Sequence, residues 1–276
     1  MSPDMDNATR IDTCFARLKA EGRTGLIAYV PVGYPTLAET PALASALIEG
    51  GASLLELGVP FSDPLADGAT IQRATAEALR QGVDMHACLE VARTLRQRWP
   101  DIPLVLMGYY NTFLSYGLER FCRDAANEGV DGAIIVDLPP EEADAFLQPA
   151  RKAGLDLIFL LAPTSTERRI KMVTGKARGF LYCVSVAGVT GARDTLPEYL
   201  PAFLARVHAH TQVPLAVGFG ISRPEHVAAV GRYAEAAVIG SAFIDVIDRS
   251  KPQERALALR TYVEELVAKA PVSTQP

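Results

Sequence analysis

The sequence lacks the patterns that mark several specialised protein classes. No apolar run approaches the roughly 18 residues that a membrane-spanning helix needs. Residues 1–6 are polar and acidic overall, without the basic-then-apolar order of a secretory signal. There is no Walker loop, no Gly-x-Ser-x-Gly elbow and no Rossmann glycine fingerprint after the first apolar run. We therefore expect a soluble, cytoplasmic protein that does not bind membranes.

Cysteine and histidine are also scarce. The four cysteines, Cys14, Cys88, Cys122 and Cys183, lie far apart, and no Cys-x-x-Cys pair or mixed Cys/His spacing occurs. This scatter favours reduced thiols and argues against a disulfide framework or a metal site. With 27 basic and 32 acidic residues, the formal net charge is −5. An extended nucleic-acid surface is therefore not expected, and small molecules or other proteins are the expected partners.

Eight short apolar runs are the main feature that the sequence does have. Most are nearly continuous in Ala, Val, Ile and Leu, as in parallel strands that are buried on both faces. The predicted strands are Gly25–Val30, Ser53–Leu57, Leu104–Met107, Gly132–Val136, Leu157–Leu160, Phe180–Val184, Leu215–Val217 and Ala237–Ile239. Segments with helical periodicity separate these runs. The predicted helices include Leu37–Glu49, Thr70–Gln81, Met85–Arg98, Gly117–Glu128, Pro140–Ala153 and Pro224–Tyr233.

This alternation predicts an α/β fold, a closed (β/α)8 TIM barrel; a doubly wound open sheet is the alternative. An amphipathic segment, Arg10–Glu21, precedes the first strand and is expected to cover the bottom of the barrel. We predict one domain over 10–269, between a flexible N-terminus at 1–9 and a frayed tail at 270–276. Glycines after several helices are expected to form left-handed caps: Gly50, Gly82, Gly129 and Gly154.

Glu56 is a carboxylate inside an apolar strand. Such a group is unfavourable unless it is paired, neutralised or used in chemistry. Strand alternation places Glu56 on the opposite face from Leu55 and Leu57. If those leucines pack against the outer helices, Glu56 points into the barrel, where either a structural or a catalytic role is possible.

The loop at 58–68 follows Glu56 and contains two prolines and two aspartates. Asp67 is in position to cap the next helix, and Asp63 to form a turn with Pro64. The proximity of Asp67 to Glu56 favours a functional role instead, because two carboxylates in different environments can divide acid and hydrogen-bonding roles.

Glycines follow the last three strands, at 188–191, 218–220 and 240. Loops after strands seven and eight are the usual phosphate site of such barrels, and glycine lets backbone N–H groups approach a ligand. Gly240-Ser241 also opens a predicted helix, whose N-terminus attracts anions. These positions together indicate a phosphorylated ligand.

The segment LELGVPFSDPLADG at 55–68 closely resembles the signature of tryptophan synthase alpha subunits. The resemblance extends in family order from about Arg10 to Leu266. It includes GYP at 33–35, YYN at 109–111, DLP at 137–139, GVTG at 188–191 and GFGIS at 218–222. Departures from some members, at Pro31, Tyr34 and Val186, remove no catalytic group.

The resemblance implies a carbon–carbon lyase that cleaves indole-3-glycerol phosphate into indole and glyceraldehyde 3-phosphate in tryptophan biosynthesis. Glu56 matches the family's general acid–base, Asp67 the carboxylate that accepts the indole N–H, and Tyr182 a tyrosine assisting at the side chain. The implied phosphate ligands are backbone groups of Gly191, Phe219, Gly220, Gly240 and Ser241. The implied indole contacts, by position, are Tyr29, Ile71, Met107, Val136, Leu160 and Ile239.

The resemblance also implies a mobile lid at 187–196, which would bring Thr190 towards Asp67. The expected partner is a beta subunit in an alpha2-beta2 tetramer, and any pyridoxal phosphate belongs to that subunit, with no cofactor in this chain. Three alternatives stay open: a phosphoribosyl-isomerase-like barrel, a free-standing lyase that releases indole alone, and an inactive regulatory subunit.

Overall fold

A closed barrel of eight parallel strands forms the centre of the protein, with β8 hydrogen-bonded to β1. The computed structural model describes residues 8–184, 197–218 and 220–268. The strands are β1 (Gly25–Pro31), β2 (Leu54–Gly58), β3 (Leu104–Gly108), β4 (Gly132–Ile135), β5 (Asp156–Leu161), β6 (Leu181–Val184), β7 (Leu215–Gly218) and β8 (Ala236–Ile239). Each end lies within one residue of its predicted position. The predicted closed barrel is confirmed, and the open sheet is wrong.

Twelve helices flank the strands within the described residues. They are α1 (Arg10–Ala20), α2 (Thr40–Glu49), α3 (Ala69–Arg80), α4 (Met85–Arg98), α5 (Tyr110–Tyr116), α6 (Leu118–Asn127), α7 (Asp144–Lys152), α8 (Glu167–Lys176), α9 (Leu200–His208), α10 (Pro224–Val230), α11 (Ser241–Arg249) and α12 (Arg255–Ala268). Helix α5, which follows β3 almost directly, was not predicted. Of the predicted left-handed caps, Gly50 is wrong: its φ is −73°, and the next residue, Gly51, has φ +113°.

Alternation along the strands divides the apolar side chains into two clusters. Leu55 and Leu57 lie in the outer cluster between the strands and the helices, whereas Leu54 lies in the interior cluster. Glu56, with the opposite parity to Leu55 and Leu57, therefore points into the barrel, as predicted. The same parity assigns Val238 to the interior and Ile239 to the outer cluster.

Helix α1 closes the amino end of the barrel. Its side chains Ile11, Cys14, Phe15 and Leu18 belong to the interior cluster, and Phe15 lies 5.8 Å from Phe180, centroid to centroid. A capping box between Thr9 and Asp12 begins the helix at Arg10. The expected role of this segment is therefore confirmed, and only the carboxyl end of the barrel remains open for a site.

The chain ends and the expected lid lie largely beyond this description. The predicted tail at 270–276 and most of the predicted N-terminus at 1–9 lie outside the described residues, as does the lid at 187–196. In the parts of the chain that the structure describes, no helix combines the length and apolar character needed to cross a membrane.

Candidate active site

Glu56 lies at the centre of the candidate site and is fully buried, with 0% of its surface exposed. Among the described residues, neither oxygen of its carboxyl group has a hydrogen-bond partner. Burial alone raises the pKa of Glu56 to about 8, because the charged form loses its hydration and gains no donor in exchange. At neutral pH the resting group is therefore a neutral carboxylic acid that can donate a proton.

Asp67 lies in the loop after β2 and is held by a tyrosine from the next strand. The hydroxyl of Tyr109 donates to Oδ2 of Asp67 at 3.1 Å and accepts from the N–H of Ala66 at 2.9 Å. The ring of Phe61 stacks on that of Tyr109 at 5.0 Å between centroids. Burial raises the pKa of Asp67 to about 6, and the hydrogen bond from Tyr109 opposes this shift. At neutral pH Asp67 is therefore mainly ionised.

Asp67 does not cap the helix that follows it. The N-cap of α3 is Gly68, and no side chain forms a capping hydrogen bond there. The carboxylate is thus free of the capping role that the sequence also allowed, and its hydrogen bond to Tyr109 holds it at the carboxyl end of the barrel.

Two interior tyrosines, Tyr29 on β1 and Tyr182 on β6, lie near both carboxyl groups. Burial raises the pKa of each well above its ordinary value, and the nearby charges of Glu56 and Asp67 raise it further. Both hydroxyls therefore stay protonated and can act as hydrogen-bond donors.

Each of these tyrosines occupies space that a glycine leaves open on an adjacent strand. A Cβ at Gly58 would lie 2.3 Å from the Tyr29 hydroxyl, and one at Gly218 would lie 2.2 Å from the Tyr182 hydroxyl. Any larger residue at either position would displace a ring from the site. The glycines at the ends of β2 and β7 therefore leave the space that the two tyrosine rings occupy.

A pocket opens beside these groups at the carboxyl ends of β1 to β4. Its lining residues are Tyr29, Val59, Phe61, Pro64, Asp67, Thr75, Met107, Gly108, Tyr109 and Val136. Most of its lining residues are apolar or aromatic, and its polar side chains are the carboxylate of Asp67 and the hydroxyls of Tyr29, Thr75 and Tyr109. This composition suits a flat aromatic group that carries a single N–H donor.

The structure divides the six residues that sequence position suggested as indole contacts. Tyr29, Met107 and Val136 line the pocket, and Leu160 packs with the interior cluster. Ile71 is half-buried against the outer cluster, and Ile239 lies within it. The placement of Ile239 in the pocket is therefore corrected: β8 turns its side chain outward, and its neighbour Val238 faces the interior.

Of the suggested phosphate ligands that can be described, Gly240 lies beside this pocket. Gly220 is exposed with φ +76°, and Gly240 is the N-cap of α11, which begins at Ser241. A Cβ at Gly240 would lie 3.2 Å from the Tyr29 ring, so the helix N-terminus directly adjoins the pocket. Its free N–H groups favour an anion. The other suggested residues, Thr190, Gly191 and Phe219, lie outside the described residues.

Sequence reasoning missed two polar members of the site. It used Tyr109 only as part of the family motif at 109–111, and it did not consider Thr75, which lines the same pocket as Tyr29. The position of Tyr109, directly after β3, was a usable signal, because working groups in such barrels follow the strands. No comparable signal marks Thr75, which lies within α3.

Known proteins give a consistent identification. The family model described as tryptophan synthase alpha chain matches residues 15–271. The chain is 55% identical to the tryptophan synthase alpha chain of Roseiflexus castenholzii, covering 89% of this chain and 94% of the relative. The Chloroflexus aurantiacus protein of the same name is 51% identical, with coverage of 94% and 98%.

A solved tryptophan synthase alpha subunit from Legionella pneumophila superposes with a TM-score of 0.89 at 36% identity, covering 95% of this chain and 98% of its own. A Mycobacterium tuberculosis tryptophan synthase chain gives a TM-score of 0.88 at 37% identity, with coverage of 95% and 98%. Sequence and fold agree over nearly the whole chain. The chain belongs to the tryptophan synthase alpha chain family.

Proposed function

We propose that the chain cleaves indole-3-glycerol phosphate into indole and glyceraldehyde 3-phosphate, as its membership of the family implies, with Glu56 as the proton donor and acceptor. The observation that carries this assignment is the pair of unlike carboxyl groups. Glu56 has no hydrogen-bond partner and a pKa of about 8, whereas Asp67 has a hydroxyl partner and a pKa of about 6. One group is thus a neutral acid and the other an anion at the same pH.

The reaction begins with protonation of the indole ring. The proton of Glu56 passes to the ring carbon that bears the glycerol chain, and the ring becomes a cation. Asp67 accepts a hydrogen bond from the ring N–H and stabilises the positive charge that develops there. Because Asp67 is largely withdrawn from water, this attraction is stronger than it would be at an exposed position.

Bond cleavage returns the proton to the enzyme. The Glu56 carboxylate removes the proton from the hydroxyl on the side-chain carbon next to the ring. The oxygen–hydrogen electron pair forms the new carbonyl, the carbon–carbon bond breaks, and its electrons restore neutral indole. Glu56 ends in its starting protonated form, so the cycle is balanced without an external acid or base. Tyr182 is placed to donate a hydrogen bond to the oxygen of the reacting side chain.

Substrate binding combines an anion site with the apolar pocket. We assign the phosphate to backbone groups of Gly220, Gly240 and Ser241, together with Gly191 and Phe219 by resemblance. Support comes from the free N-terminus of α11 and from the close approach of Gly240 to Tyr29. We assign the indole ring to the pocket that contains Met107, Tyr109 and Val136, and a closing role to Thr190 in the lid.

Family membership implies a beta-subunit partner, and we propose an alpha2-beta2 assembly in the cytoplasm, with pyridoxal phosphate held only by the beta subunit. The proposed contact surface comprises the loop Pro60–Asp67, the segment Tyr109–Asn111 and the turn at Pro139. Two exposed apolar side chains support it: Leu65 in that loop is 90% exposed, and Leu114 on α5 is 52% exposed.

The test is indole release from indole-3-glycerol phosphate by the purified chain, alone and with a tryptophan synthase beta subunit. We expect slow release that rises with the beta subunit and is abolished in Glu56→Gln and Asp67→Asn. Rapid release by the chain alone would instead indicate a free-standing lyase. Equal rates for Glu56→Gln and the unaltered chain would refute the role of Glu56, and no indole under any condition would refute the reaction.

A further inference from the structure

His226, in the predicted helix Pro224–Tyr233, is buried beside the loop that follows β7. Only 3% of its surface is exposed, in the first turn of α10. The N–H of Ser222 donates to its Nδ1 at 3.4 Å. Nδ1 is thus the acceptor of this bond, and Nε2 has no hydrogen-bond partner among the described residues. One backbone group of the Gly218–Ser222 loop is thus attached to a buried side chain.

Tyr262 of the C-terminal helix α12 holds the same residue from the other side. Its hydroxyl donates a hydrogen bond to the carbonyl oxygen of Ser222. Both polar groups of the Ser222 backbone are therefore engaged, one by His226 and one by Tyr262. A peptide held at its N–H and at its C=O has little freedom to rotate or shift.

The ring of Tyr262 also contacts α11, the helix that begins at the proposed phosphate site. It meets Phe243 edge-on, with 5.8 Å between ring centroids and 78° between ring planes. Phe243 lies in the first turn of α11, two residues after Ser241, and is 1% exposed. Tyr262 therefore joins the loop after β7 to α11, the helix whose N-terminus forms part of the proposed phosphate site.

The backbone at Gly220 needs such support because few described atoms lie near it. Gly220 is exposed, has φ +76°, and has no atom within 4 Å of the position of an added Cβ. Ile221 is buried and supplies one apolar anchor, but an apolar contact does not orient peptide N–H groups. Among the described contacts, the two hydrogen bonds to the Ser222 backbone are the ones that orient peptide groups near Gly220.

We propose that Tyr262 and His226 are positioning residues for the phosphate site. They hold the Gly220–Ser222 segment and the N-terminus of α11 at a fixed separation, so that backbone N–H groups from both converge on one phosphate. The proposal rests on the function proposed above for its choice of ligand. It adds that α12, which carries neither catalytic carboxyl group, influences substrate affinity. Its Tyr262 acts through the loop and through α11 and does not itself touch the substrate.

Two pairs of variants separate the hydroxyl, the ring and the imidazole. Tyr262→Phe removes the hydrogen bond to Ser222 and keeps the ring against Phe243, whereas Tyr262→Leu removes both. His226→Leu removes the acceptor, and His226→Asn keeps an acceptor oxygen near the position of Nδ1. The matched control is Tyr116→Phe, which also loses one hydroxyl bond, to Asp124 at 2.8 Å, but on α5.

The measurements are KM and kcat for indole release, and the Kd for inorganic phosphate by calorimetry, on the full chain. For Tyr262→Phe we expect KM and the phosphate Kd to rise together by roughly fivefold, the effect of one ordinary hydrogen bond, with kcat nearly unchanged. His226→Leu should raise KM and the phosphate Kd as Tyr262→Phe does. His226→Asn should recover most of the affinity for substrate and phosphate. Tyr262→Leu should exceed Tyr262→Phe, and Tyr116→Phe should match the unaltered chain.

The outcomes distinguish this inference from the proposed function. If the unaltered chain releases indole and binds phosphate, but Tyr262→Phe and His226→Leu change only thermal stability, the positioning role is overturned. If the chain binds phosphate and the Tyr262 and His226 variants weaken that binding, but no indole is released, the proposed function fails and the positioning role stands. If the unaltered chain binds no phosphate, the positioning role is overturned together with the proposed phosphate site.

Discussion

Replacing Glu56 with glutamine should stabilise the protein, and increasingly so as the pH rises. The folded-state pKa is about 8 against an ordinary value of 4.5, so the folded chain keeps a proton that the unfolded chain loses. Stability from the neutral carboxyl group is fully present below the unfolded pKa and is lost as pH rises towards the folded pKa. The slope is about 1.4 kcal/mol per pH unit, or about 3 kcal/mol between pH 5.5 and pH 7.5. Glutamine does not titrate, so Glu56→Gln escapes this loss.

The assay is chemical unfolding of both proteins at about pH 5.5 and about pH 7.5, followed by fluorescence and circular dichroism. The quantity of interest is the change with pH in the difference between the two unfolding free energies, because constant packing effects of the amide cancel. Glu142→Gln, which neutralises an exposed carboxylate, is the matched control and should show a much smaller change. A difference that stays constant across this range would refute the raised pKa and, with it, a resting neutral Glu56.

Three other expectations concern activity. The pH profile of kcat/KM should be bell-shaped, falling below about pH 6 as Asp67 gains a proton and above about pH 8 as Glu56 loses one; a monotonic profile would contradict this division. Tyr109→Phe should shift the acid limb to higher pH and leave the alkaline limb in place, because Asp67 loses the hydrogen bond that lowers its pKa. Gly218→Ala should reduce kcat by tenfold or more, since its Cβ would lie 2.2 Å from the Tyr182 hydroxyl, whereas Gly175→Ala on α8, with no atom within 4 Å, should remain fully active.

The barrel itself was predictable because its strands are buried on both faces. Such strands appear as continuous apolar runs, and their ends are marked by polar loops, so every strand end was located to within one residue. Helix ends were less certain: the helix predicted from Leu37 begins at Thr40, and α5 was missed. Helix α5 has only seven residues, too few for helical periodicity to distinguish it from a loop.

Side-chain direction was predictable only where a strand contains a chemical contrast. Glu56 lies between two leucines, so it must point to the opposite face of the strand from them. Because the leucines pack outward, the inward position of Glu56 could be predicted. In β8 both Val238 and Ile239 are apolar, so nothing in the sequence distinguishes the inner residue from the outer one, and Ile239 was assigned to the wrong face. His226 presents a related difficulty, because its helix α10 packs against the later helix α12, a contact that the local sequence does not reveal.

The different states of Glu56 and Asp67 follow from the supply of hydrogen-bond donors. Both carboxyl groups are withdrawn from water, but Asp67 receives a bond from Tyr109, and Glu56 receives none from any described residue. A hydrogen bond from Tyr29 or Tyr182 would favour ionised Glu56, but neither hydroxyl donates to its carboxyl group. A new donor to Glu56 would lower its pKa and stabilise the fold at high pH, but it would also weaken the acid that protonates the ring. The proposed reaction therefore requires that Glu56 have no hydrogen-bond donor. This arrangement lowers the free energy of unfolding at high pH, and Glu56→Gln should recover that loss.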